Sequence, residues 1–377
     1  DFNNDAHERY GLTQQDQMDN EHKEITLSHL IEFGTTQITT TGYYIEFERD
    51  WFKVDKIDNN KVYGHGNGIN NIIAAANAGE ATASAILNGT NAQAVQIKLK
   101  NNNRVYTSEG TDLKLQFNTD KQSLTIGYRD TEDSEDRFQV YATTDWMNGK
   151  LGALTAGSNP GYSSNNRLTT AEATAFYINE EINFGALTVN VGFRSEEWKI
   201  SQDRYVDAAR SAINTEEGYP KKLADADNSL MGFGATYDMN DTTQLFFGFH
   251  EGFTPTGGGA DPEEADNMEM GIRYAKDDTY FEAIYFDTDY QNMFGECTAS
   301  GGATGSCEIG DSFNAGEASI TGFELVAQTE RLGESGTMYP FSMVYTSTDA
   351  SFDNTFESNF WGSVTPGMDI PDLPDSQ

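Results

Sequence analysis

The sequence predicts an all-β chain, an antiparallel transmembrane β-barrel portion of about twelve strands. Three observations predict it. Apolar and polar residues alternate in run after run, the connections between runs are alternately short and long, and aromatics are plentiful, with 23 Phe, 18 Tyr and 4 Trp in 377 residues. Successive side chains of a strand point to opposite faces, so each alternating run is greasy on one side and wet on the other. A sandwich strand shows that pattern too. What selects a membrane barrel is its combination with short turns on one side and long loops on the other; the aromatics suit strands and would furnish the interfacial girdles.

Residues 1–21 are polar and without periodicity, and read as the tail of a surface loop. Ile25/Leu27/His29/Ile31/Phe33 then alternate with Thr26/Ser28/Leu30/Glu32, and Gly34-Thr35 turns the chain. The return strand sets Thr39/Thr41/Tyr43/Ile45/Phe47 against Thr40/Gly42/Glu46/Glu48 and ends in Arg49-Asp50-Trp51-Phe52-Lys53, which suits a wet rim. A long excursion from about Asp55 to Arg104 carries one Ala-rich helical segment, Ile69 to Leu87. That helix either closes over a ligand or packs its own loop.

Leu113/Leu115/Phe117, a turn over Asn118 to Gln122, and Leu124/Ile126/Tyr128 form the next pair. The acidic run Asp130 to Asp136 follows and reads as a hydrated surface loop, since it lacks the spaced ligands of a calcium loop. A strand around Ala173/Ala175/Tyr177 turns at Asn183 to Ala186 into Leu187/Val189/Val191/Phe193 against Thr188/Asn190/Gly192/Arg194. A polar loop, roughly Glu196 to Asn228, leads to Met231/Phe233/Ala235/Tyr237, a turn at Asn240 to Thr242, and Leu245/Phe247/Phe249. Met268/Met270/Ile272/Tyr274, the turn Lys276 to Asp278, a long cysteine-bearing loop, Phe323/Leu325/Ala327, the turn Leu332 to Gly336 and Tyr339/Phe341/Met343/Tyr345 complete the train. One strand plan from end to end makes residues 1–377 a single partial barrel domain. Six short connections lie on one side, the arrangement of short periplasmic turns and long outer loops.

The formal charge of −36, from 60 acidic against 24 basic residues, repels phosphates and sets nucleic acid aside as a partner. So many aromatics exclude a disordered acidic chain. No run of ~18 apolar residues exists, which excludes a helical span and leaves barrel strands of ~9–11 residues open. The chain begins at Asp1 without a signal-peptide pattern, so the barrel reading expects a lost beginning. Cys297 and Cys307 bracket a Gly-rich stretch and read best as one disulfide made in an oxidising compartment, with two free thiols as the alternative and metal binding behind both, since no neighbouring His or Cys completes a site. No catalytic constellation stands out, and no enzyme is expected: Gly333-Glu334-Ser335-Gly336 is too short for a nucleophile elbow, and the five histidines are scattered singly.

Four stretches carry a resemblance to a known family. They are Asp19-Asn20-Glu21-His22 with Thr39 to Lys53; Ala85 to Gly89 with Asn103 to Gly110; Phe249-His-Glu-Gly-Phe-Thr-Pro255 with Pro262 to Tyr274; and Gly310 to Glu317 with Gly322-Phe-Glu324. Together they resemble the TonB-dependent outer-membrane receptors, and within them the ferric citrate receptor group. The resemblance implies the central part of a 22-stranded barrel whose plug, first strands and closing strands lie outside this sequence. It further implies a protein of the outer membrane, in contact with lipid and lipopolysaccharide, that imports a ferric chelate with energy from the TonB complex. The iron would be chelated cargo and the protein would need no cofactor of its own. Ferric citrate is anionic, and charge-assisted arginine contacts suit carboxylates. The resemblance therefore points to Arg49, Arg104, Arg129 and Arg137, and after them Arg167, as ligand-binding residues, each with pairing to a nearby Asp or Glu as its plainer role. A passive porin, a receptor of the same family for a non-iron ligand and a secreted all-β adhesin are the other readings.

Overall fold

The computed structural model describes residues 11–58, 69–156, 165–255, 261–296, 312–358, 362–370 and 373–376. Twelve long strands pair in chain order, each antiparallel to the next. They are β1 (Gln17–Phe33), β2 (Thr36–Asp58), β3 (Val95–Asn118), β4 (Gln122–Met147), β5 (Asn166–Asn183), β6 (Leu187–Arg204), β7 (Lys221–Asn240), β8 (Thr243–Thr254), β9 (Glu263–Lys276), β10 (Thr279–Glu296), β11 (Ser312–Leu332) and β12 (Met338–Phe352). The short pieces Lys150–Leu151 and Thr155–Ala156 pair with β4, and Phe356–Ser358 pairs with Gly362–Val364. Among the described residues β1 and β12 do not meet, so the sheet is open.

All six short turns fall where the sequence places them, between β1 and β2, β3 and β4, β5 and β6, β7 and β8, β9 and β10, and β11 and β12. Gly34 sits at φ +61° in the first, a left-handed conformation that a side chain with a Cβ adopts only with strain. Near these turns one face of the sheet is bare hydrocarbon. Ile25, Leu27, Leu113, Phe117, Tyr128, Val191, Met231, Phe233 and Phe323 are all exposed, Leu27 to 75%. A sandwich would bury such rows against a second sheet, so the adhesin reading fails here.

Several expectations are corrected. β1 begins at Gln17, inside the stretch read as loop tail, and β3 begins at Val95, inside the long excursion. Asp130 to Asp136 is not a loop but the middle of β4, which runs for 26 residues. β6 and β7 likewise extend well into the supposed loop of residues 196–228. These strands continue past the apolar band, and over the acidic stretch of β4 both faces carry polar side chains. Two faces are also reassigned. Ile38 pairs with Leu115, which puts Tyr43, Ile45 and Phe47 of β2 on the polar face. Ala173, Ala175 and Tyr177 of β5 join them through Thr131, Arg129 and Gly127.

The helical stretch is two helices, α1 (Ile69–Asn77) and α2 (Ala81–Leu87). Gly79 at φ +87° breaks them, and Glu80 caps α2 by accepting from the Ala83 N–H at 2.6 Å. Ile72, Ala83, Ile86 and Leu87 bury against Val54, Ile57, Ile97, Leu99 and Trp146, whose indole Nε1 donates to the Ile86 carbonyl at 2.8 Å. By strand parity Ile97 and Leu99 share the face of Leu113 and Leu115. The helices therefore pack the outer extension of the sheet on its apolar side, which favours the packing role over the ligand-covering one. Cys297 and Cys307 lie outside the described residues, and so does their expected disulfide.

Candidate functional site: a row of arginines across five strands

Register brings five arginines into one line. Arg49 of β2 stands opposite Arg104 of β3, Arg104 opposite Arg137 of β4, Arg137 opposite Arg167 of β5, and Arg167 opposite Arg204 of β6. Five strands at ~4.8 Å spacing make the row about 19 Å wide. Its face is the polar one, since Arg104 alternates with the Leu113 set on β3, and Arg137 with the Leu124 set on β4. It also lies beyond the apolar band, whose exposed residues end at Leu113 on β3 and Tyr128 on β4. Like charges directly opposite destabilise a sheet, so four consecutive Arg–Arg pairs oppose folding unless something negative joins them.

One carboxylate does so for the three central members. Glu135, two residues before Arg137 on β4, is 2.7 Å from Arg104 Nη1, 3.1 Å from Arg137 Nη2 and 3.3 Å from Arg167 Nη2. Burial works to raise its pKa, but Arg137, Arg104 and Arg167 outweigh burial and hold the carboxyl below the ordinary glutamate range. Burial, followed by the neighbouring Arg167, pushes Arg137 down to about 10, so it remains cationic at neutral pH. The Arg137 and Arg167 side chains are only 10% exposed. The Nε–H groups of Arg49, Arg104, Arg137 and Arg167 are buried and meet no acceptor among the described residues. Buried donors without acceptors are costly, and here they are donors of cations.

More positive charge stands further out on the same face. Lys53 and Lys100 face each other four residues beyond Arg49 and Arg104, and burial lowers the pKa of both ammonium groups. Lys98 Nζ lies 3.7 Å over the Tyr141 ring, and Arg49 Cζ lies 5.9 Å from the Tyr106 ring. At the β6 end the row is braced. Arg204 Cζ stacks 4.8 Å over Tyr219, while on the opposite face Arg210 of the loop after β6 holds Asp136 Oδ2 at 2.8 Å and Asn166 Oδ1 at 3.0 Å.

Of the arginines singled out from sequence, Arg49, Arg104, Arg137 and Arg167 thus come together. Arg129 does not. It lies on the same face of β4 but eight residues nearer the turn, about 26 Å away at ~3.3 Å per residue, and donates to the Tyr43 hydroxyl at 3.2 Å. Near it a cavity of about 250 Å³ is lined by Arg129, Asp133, Arg194, Glu196 and Trp198. Sequence reasoning missed Arg204, Lys53 and Lys100. Arg204 lies inside a stretch read as loop, and no local pattern links it to Arg167; Lys53 and Lys100 needed the β2–β3 register.

The opposite face is acidic five to seven residues nearer the short turns, about 16–23 Å below the row at ~3.3 Å per residue. A hollow of about 510 Å³ is lined by Asp130, Glu132, Glu172, Glu197, Asp225 and Asp227, with Lys199. Strand parity thus puts this cluster of carboxylates on the face opposite to the arginine row.

The fold is similar to that of the ferric yersiniabactin uptake receptor of Yersinia pestis, at a TM-score of 0.59 and 16% identity, covering 96% of this chain and 46% of that one. It is equally similar to the ferric citrate transporter FecA, at 0.59 and 15% identity, with 97% and 49% covered. The siderophore receptor PiuA of Acinetobacter baumannii follows at 0.58 and 16% identity, with 95% and 51% covered. The chain thus spans about half the length of these structures, and at such identities the likeness is one of fold. The family model described as "TonB dependent receptor-like, beta-barrel" matches residues 2–377. From the meander of long antiparallel strands, the six short turns and this match, the chain belongs to the TonB-dependent receptor β-barrel family.

Proposed function

We propose that this chain forms part of the barrel wall of an outer-membrane receptor that takes up an anionic ferric chelate, ferric citrate being the leading ligand, with energy delivered through TonB. The observation that carries the ligand class is the arginine row, with five guanidinium groups on one face, one carboxylate among the central three, and buried N–H donors left over. Guanidinium groups match the planar geometry of carboxylates and keep their charge when dehydrated, which suits a polycarboxylate chelate of iron. The exposed hydrocarbon near the short turns would face lipid, and the arginines would stand above it on the lumen side. The fold neighbours that import ferric chelates support the same reading, as does the sequence resemblance in the stretch around Arg49. Iron in this reading is cargo.

The test is uptake of radiolabelled ferric citrate by cells lacking the intact gene and complemented with wild type or with Arg49→Ala/Arg104→Ala. Deletion should abolish uptake and the double variant should lower it at least tenfold. Unchanged uptake in the deletion strain would reject ferric citrate as the ligand.

A further inference from the structure

Glu135 does more than neutralise. It sits where three guanidinium groups converge, at 2.7, 3.1 and 3.3 Å, and so occupies the position that a carboxylate arriving from solution would take. Its side chain is 20% exposed, and those of Arg137 and Arg167 are 10% exposed, so no unoccupied guanidinium pocket lies beside it for a first carboxylate to enter. Arg49 is different. It is in register with the row, and among the described residues it has no ion pair to Glu135 and its buried Nε–H has no acceptor. Lys53 of β2 and Lys100 of β3 lie four residues further out on the same face, about 13 Å away at ~3.3 Å per residue.

We propose that Glu135 is a resident stand-in for a ligand carboxylate and that it sets specificity: only an anion with several acid groups displaces it. This rests on the reading of the row as the ligand site, and adds a residue that selects among anions. The reasoning is one of effective concentration. A carboxylate held on the same strand as Arg137 competes as an intramolecular partner, at an effective concentration of the order of millimolar or more, and a free monocarboxylate at lower concentration does not replace it. A polycarboxylate, drawn in past Lys53 and Lys100, anchors first on Arg49. Its second acid group then competes with Glu135 from an equally tethered position and takes Arg104, Arg137 and Arg167 as Glu135 swings out. The exchange is one carboxylate for another, so the central arginines are never left without a counter-charge. Monocarboxylates and carboxylate-bearing debris, abundant outside a cell, are turned away by the same contact.

The experiment uses the full-length receptor in detergent micelles, with titration calorimetry against tricarballylate, an iron-free tricarboxylate, and against acetate. Wild type should bind tricarballylate and show no acetate binding. Glu135→Gln should bind tricarballylate at least threefold more tightly and show measurable acetate binding. Glu135→Asp, which keeps the charge on a side chain one methylene shorter, should give a smaller gain and serves as the readout if Glu135→Gln does not fold. Weaker or unchanged tricarballylate binding in the variants, alongside its loss in Arg49→Ala/Arg104→Ala, would overturn the stand-in while leaving the row as the ligand site. Unchanged binding in that arginine pair would overturn both.

Discussion

Arg104 and Arg137 stand directly opposite each other on adjacent strands, and both reach the Glu135 carboxylate, Arg104 at 2.7 Å and Arg137 at 3.1 Å. Two cations paired across a sheet repel, so this arrangement is held by a third residue. What the contact contributes to binding, and what its neighbours contribute to the fold, can be measured residue by residue.

Within the row, position should matter more than charge. Each charge-assisted hydrogen bond to the ligand is worth about 1.5–3 kcal/mol, so Arg49→Ala should weaken ferric citrate binding by roughly tenfold or more. Arg49→Lys should recover part of that loss, because an ammonium replaces the charge but not the fork. Arg129→Ala, remote from the row and engaged with Tyr43, should change affinity less than twofold. Calorimetry on the purified receptor checks all three.

Acidification should reveal the Glu135 contacts. Its folded pKa lies below the ordinary value, so its stabilising contribution is fully present above about pH 4.3 and is lost as the pH falls further, through the lowered folded value. Unfolding midpoints of wild type and Glu135→Gln, compared at pH 6 and pH 3, should differ at pH 6 and differ less at pH 3.

Gly127 should tolerate no side chain while Tyr177 is present. A Cβ there would lie 2.0 Å from the Tyr177 ring, which covers the glycine from the opposing strand. Gly127→Ala should cost about 1–3 kcal/mol through overpacking. Adding Tyr177→Ala should return much of it, and a double-mutant cycle on thermal unfolding checks the coupling.

Trp146 is fully buried under α2, so Trp146→Ala should remove the centre of that small core, at a cost of about 3–5 kcal/mol. The loss is local to the outer extension. Limited proteolysis should then cut near residues 69–87, while the heat-modifiable gel mobility of the barrel stays as in wild type.

How far the sequence was legible follows from where water lies. Between the short turns and the level of Tyr128 one face meets hydrocarbon and the other does not, so Leu113/Leu115/Phe117 and Leu187/Val189/Val191 declare both strand and face. Just above that level both faces of β4 carry polar side chains, alternation is lost, and Asp130 to Asp136 reads as loop although it is strand. On β2 the rings of Tyr43 and Phe47 imitate an apolar row while standing on the polar face, and only the pairing of Ile38 with Leu115 decides. The candidate arginines were found one by one from their chemistry. Their alignment was not, because it depends on the offsets of four strand pairs, and no single stretch of chain carries that information.

The pairing from Arg49 to Arg204 runs through four interstrand ladders, with no bulge near any of the five arginines. Side chains alternate faces with a period of two, so removing one residue from β4 between Tyr128 and Glu135 would send Glu135 and Arg137 over to the carboxylate side and bring Asp136 among the remaining cations. Removing two would keep the facing and lower the pair by one step. Length changes in this part of the wall should thus be tolerated in even numbers and punished in odd ones, an arithmetic that the connections beyond the strands escape.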